Sequence, residues 1–125
     1  MRLGPAESAW REPPKPDEVE VSVFGPGKGE GLVCHLGFGR WMVLDSCVDS
    51  DTSRPVSLDY LEALDMNLPD HVDVVAATHW HDDHIRGLAA VVEAASNCTF
   101  HFSMALQSQE FLTLVNAVGD QSMMR

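Results

Sequence analysis

The run VDVVAATHWHDDHIRGLAAVVEAA (72–95) limits what this chain can fold into more than any other feature. Residues 72–78 are almost continuously apolar, as in a central strand buried on both faces. A histidine cluster follows without a break, and IRGLAAVVEAA then reads as a helix. A strand that passes through a polar turn straight into a helix is half of a βαβ unit, so parallel pairing is expected around it.

The flanking sequence extends the pattern. VEVSVFG (19–25) alternates like a strand with one buried face, and GPGKGEG (25–31) is a turn. LVCHLGFGRWMVLDSC (32–47) gives two strands around a Gly37–Gly39 turn, a hairpin ending at Asp45. Residues 49–55 are polar loop. Ser57 is the expected N-cap of LDYLEALDM, where Leu58, Leu61 and Leu64 recur at helical spacing, and Pro69 is expected to break that helix. CTFHFS (98–103) reads as a short strand. ALQSQEFLTLVNAV (105–118) reads as an amphipathic helix with Leu106, Phe111, Leu114 and Val115 facing inward. The predicted order is βββ-α-β-α-β-α, an α/β layered architecture. Residues 1–18, with PPKP at 13–16, read as a flexible lead-in to a domain over 19–125.

Composition narrows the class further. No apolar run approaches the roughly 20 residues that cross a bilayer, and the N-terminus lacks the apolar core of a signal peptide. A cytoplasmic location without a membrane partner is therefore expected. Cys34, Cys47 and Cys98 show no CxxC spacing, and buried, unreactive thiols are expected at all three. A net charge of −11 argues against a broad phosphate-neutralising surface. Bound dications can still reverse the field inside one cleft.

The cluster itself reads as metal chemistry. His79 and His81 are two residues apart at a strand end, where side chains alternate, so both imidazoles can face one metal. Asp83 and His84 follow where the chain turns into the helix and can reach a second metal. Asp82 is read as a helix cap and Trp80, on the opposite face, as core. His35, His71 and His101 stand alone in the sequence and are read as ordinary core or surface histidines.

HWHDDH is similar to the HxHxDH motif of the metallo-β-lactamase superfamily, with His79, His81, Asp83 and His84 on its positions. WMVLDSC resembles the strand that ends in that family's first aspartate, here Asp45. The turn in VFGPGKGEG, the following HLGFGRWMVLDSC and DHIRGL (83–88) resemble the branch related to the hydrolase domain of DNA-uptake competence proteins, with Arg86 where a glycine is common. The resemblance implies the N-terminal portion of an αββα sandwich holding one or two divalent metal ions, zinc first, with manganese or iron as alternatives. It implies a metal-dependent hydrolase that uses a metal-activated hydroxide on a small molecule or a phosphodiester. His79 and His81 would hold the first metal. Asp83 and His84 would hold the second, with Asp83 also orienting the nucleophile. Asp45 would accept a hydrogen bond that fixes a ligand's orientation.

The family's later ligands, two histidines and an aspartate that each follow a strand, have no match here. His101 comes too early, and Asp120 follows a helix. The chain is therefore expected to be a partial domain, inactive alone, completed by a C-terminal domain or a second chain. The alternative is a catalytically incomplete metal-binding or docking module. HDDH is also similar to the HD phosphohydrolase signature and HWH to the amidohydrolase HxH. Strand-rich surroundings disfavour the first, and the three strands and a helix before the cluster disfavour the second.

Overall fold

The computed structural model describes residues 12–25, 30–78, 82–102 and 115–119, and for 82–86 the backbone alone. Among the described residues five strands form one sheet in the order β1-β2-β3-β4-β5. They are β1 (Glu20–Phe24), β2 (Gly31–Gly37), β3 (Arg40–Leu44), β4 (Val72–Ala77) and β5 (Thr99–Phe102). The helices are α1 (Val56–Ala63), α2 (Leu68–His71) and α3 (Asp82–Ala94), and residues 115–119 are helical. β1, β2 and β3 pair antiparallel, whereas β3–β4 and β4–β5 are parallel, each pair joined through a helical crossover as parallel neighbours require. This is the expected α/β order with one short helix, α2, added.

Register divides the sheet into two unlike faces. Val33, Val43, Val75 and Phe100 lie level with one another across four strands. They pack with Leu58 and Leu61 of α1 and Leu88 and Val91 of α3 into one cluster. Each fully buried aliphatic side chain there contributes about 1.5–3 kcal/mol. On the other face run two rows, Val21–Cys34–Met42–Val74–Thr99 and Val23–Leu32–Leu44–Ala76–His101. Only Thr99 and His101 in those rows are polar, yet Val21 and Val23 are 56% and 66% exposed and the central members are mostly half-buried. β4 is thus fully buried on one face only.

The β2–β3 turn needs left-handed backbone at Gly37 (φ 105°) and Gly39 (φ 73°), which glycine adopts without strain. The turn is also pinned from outside. Phe38 N–H donates to the Pro16 carbonyl at 2.7 Å. His35 is 2% exposed, its Nδ1 lies 2.7 Å from the Glu18 carbonyl, and its Nε2 accepts from Gly39 N–H at 3.1 Å. With Nε2 accepting, Nδ1 is the nitrogen placed to donate to the Glu18 carbonyl, as in the ordinary core histidine expected. His71 Nδ1 bonds the Gly39 carbonyl at 2.9 Å, and His101 is exposed.

Several local expectations are corrected. Ser57 does not cap α1: the cap is Pro55, two residues earlier, which is bridged to Val48, and Ser57 is buried inside the helix. Backbone pairing and the fixed φ of proline set that entry, not a side-chain cap. Pro69 does not end α1 either. The helix stops at Ala63, with Asp65 left-handed at φ 57°, and Pro69 sits in the first turn of α2, capped by Asn67. α3 starts at Asp82, three residues before the expected helix, so Asp82 opens the helix instead of preceding it. Val115 is exposed, while Ala117 and Val118 pack on the core. Leu106, Phe111 and Leu114 lie outside the described residues. Cys34 and Cys47 are buried and Cys98 half-buried, and burial pushes all three thiols up, away from the reactive thiolate.

Candidate metal centre

Parallel pairing of Leu44 with Ala76 brings the carboxyl ends of β3 and β4 side by side, the edge where ligands gather in α/β sheets. Asp45 extends that ladder by one step, its N–H donating to the Ala76 carbonyl at 2.7 Å. The chain then turns at Asp45 with φ 55°, a conformation that aspartate tolerates better than most L residues. Its carboxylate crosses to β4. Oδ1 accepts the Thr78 N–H at 2.7 Å and Oδ2 accepts the Thr78 hydroxyl at 2.5 Å. Bonds to an ionised acceptor are the stronger kind, and Asp45 is 8% exposed. Thr78 is the residue immediately before His79.

The residues after Asp45 form a fixed ledge. Ser46 and Cys47 are each 2% exposed. The Cys47 carbonyl accepts from Val56 N–H at 3.0 Å, its thiol reaches the Phe24 carbonyl at 3.7 Å, and Val48 bridges Pro55. α3 lies directly on this ledge. A Cβ at Gly87 would come within 2.9 Å of both Ser46 Oγ and Val48 Cγ1.

The site residues read from the sequence divide accordingly. Asp45 is where the sequence placed it, at the end of β3. Asp83 and His84 occupy the first turn of α3, with side chains outside the described residues, and His79, Trp80 and His81 lie outside them altogether. Among the described residues no group of three or more His, Cys, Asp or Glu side chains could hold a metal. The donor types in the cluster, imidazole nitrogen and carboxylate oxygen, nevertheless suit a divalent cation of zinc's character. Thr78, Ser46 and Gly87 were missed by the sequence reading. Gly87 carried a signal, because glycine inside a helical run usually marks close packing.

Among solved structures, the chain is similar to a diflavin flavoprotein A 5 fragment (1–254) from Nostoc sp. PCC 7120, at 20% identity with a TM-score of 0.45. The similarity covers 80% of this chain and 48% of that one, so this chain spans about half its length. No curated protein sequence gives a match. The family model described as the metallo-beta-lactamase superfamily matches residues 10–110. This chain belongs to the metallo-beta-lactamase superfamily.

Proposed function

We propose that the chain carries the metal-binding part of a metal-dependent hydrolase. The observation that carries this reading is the double hydrogen bond from Asp45 to Thr78. It anchors the first residue before the histidine cluster at the carboxyl ends of two parallel strands, in a chain of a superfamily whose members generally bind divalent metals. His79 and His81 would hold one cation, and Asp83 and His84 a second. A bound cation would lower the pKa of a water and polarise the group under attack. Asp45 keeps the strand end in place, and Asp83 orients the attacking water. Zinc is the first choice of metal, and a phosphodiester is the proposed substrate class, on the resemblance of DHIRGL (83–88) and the glycine-rich turn to the DNA-uptake branch. The test is zinc or manganese binding by the chain, weakened by Asp83→Ala; a chain that holds neither metal contradicts this reading.

A second reading is favoured by the sheet's outer face. Two cross-strand rows that are almost wholly apolar, with Val21 and Val23 largely exposed, suit a covering layer from a C-terminal domain or a second chain. In that reading the chain is a metal-binding or docking module that gains turnover only when the layer is supplied. Metal binding without hydrolysis by the chain alone favours it.

A further inference from the structure

Both ends of the cluster segment are tied to one short stretch of chain. Upstream, Asp45 clamps Thr78, one residue before His79. Downstream, Gly87, three residues after His84, rests on Ser46 and Val48. The stretch between those contacts is held independently through Val56 N–H on the Cys47 carbonyl and the Val48–Pro55 bridge.

We propose that residues 45–48 are a shared seat that sets the spacing between the two ends of the metal cluster, and that Gly87 is a positioning residue for the ligands on α3. This rests on the metal-centre reading above. Glycine weakens a helix interior relative to alanine, so α3 keeps it at a cost that close approach explains. The seat has no slack on that side. Both atoms at 2.9 Å belong to short side chains, and Val48 is β-branched and stiff about χ1. Among the described residues Ser46 Oγ is buried there with no hydrogen-bond partner, so packing defines the contact with Gly87. Positions 83 and 84 precede Gly87 by four and three residues, on the same side of α3. A helix lifted at Gly87 carries both away, while the Asp45–Thr78 clamp holds the other end.

The test is zinc affinity of the full chain, measured by competition with a chromophoric chelator, for wild type, Gly87→Ala and the triple variant Gly87→Ala/Ser46→Ala/Val48→Ala. Circular dichroism of the metal-free proteins checks that each is folded. The expected result is about tenfold weaker binding or worse in folded Gly87→Ala, the scale of losses when a ligand's support is disturbed. The triple variant, which removes both obstructing atoms, should recover most of it. Wild-type affinity in Gly87→Ala overturns the proposal, as does an unfolded single variant or a loss the triple variant does not recover. A wild-type chain that binds no zinc overturns the metal-centre reading itself, and the proposal with it.

Discussion

Asp45 and Thr78 join the ends of two adjacent parallel strands through both carboxylate oxygens, at 2.7 and 2.5 Å. The same residue turns the chain at φ 55°, so it combines a hydrogen-bonding task with a backbone one. Substitutions separate the two. Asp45→Ala loses the bonds and places a less tolerant residue in left-handed backbone. Asp45→Gly loses the bonds alone. Hydrogen bonds to a charged group are worth about 1.5–3 kcal/mol, and exposure of Thr78 puts the loss at the low end. Urea denaturation should show Asp45→Ala less stable than Asp45→Gly by roughly 1 kcal/mol, the backbone share. Equal stabilities would mean the left-handed turn imposes no constraint.

The two faces of the sheet should respond oppositely to charge. Val21→Lys/Val23→Lys on the outer face should change stability of the isolated chain by about 0.5 kcal/mol or less and reduce binding of an apolar-surface dye. Val33→Lys, at a fully buried position facing α1 and α3, should prevent folding because a lone buried charge is so costly. A large loss of stability in the double lysine variant would show that the outer face is already covered.

Tyr60 gives a pH dependence with a defined sign. Its hydroxyl donates to Glu20 at 2.6 Å, and burial, aided by that carboxylate, pushes its pKa up to about 12. The unfolded chain ionises near 10. The folded state therefore holds this proton more tightly, and the associated stability is complete below pH 10 and lost as pH rises toward 12. Tyr60→Phe should cost about 1 kcal/mol at neutral pH and flatten the stability profile between pH 10 and 12. An unchanged alkaline slope in Tyr60→Phe would assign that loss to another group.

Strand order was legible because apolar periodicity reports burial directly, and β1 through β5 fell close to their expected positions. Helix starts and stops were not. α1 begins from a tertiary bridge between Val48 and Pro55 and ends through left-handed Asp65, and neither leaves a local mark as plain as a serine cap or a proline. In the site, Asp45 was legible at its strand end. Its partner Thr78 was not, because their bond spans 33 residues and depends on parallel strand register. Ser46 and Gly87 likewise meet only once α3 is laid on the sheet.

The histidines should divide cleanly into two classes. His35 has both ring nitrogens engaged in the core and packs against Trp41 in a tilted pair, ring centroids 4.9 Å apart. His35→Ala should lower the melting temperature while leaving the metal content of the folded protein unchanged. His81→Ala should do the reverse. Loss of metal from folded His35→Ala would place that residue in the site.

The most direct test of the account is elemental analysis of the purified chain for zinc, manganese and iron, beside His79→Ala/His81→Ala. The account predicts about one divalent cation or more per wild-type chain, and loss of most of it in the double variant with the fold intact by circular dichroism. A wild-type chain free of these metals, or a double variant that retains them in full, would contradict it.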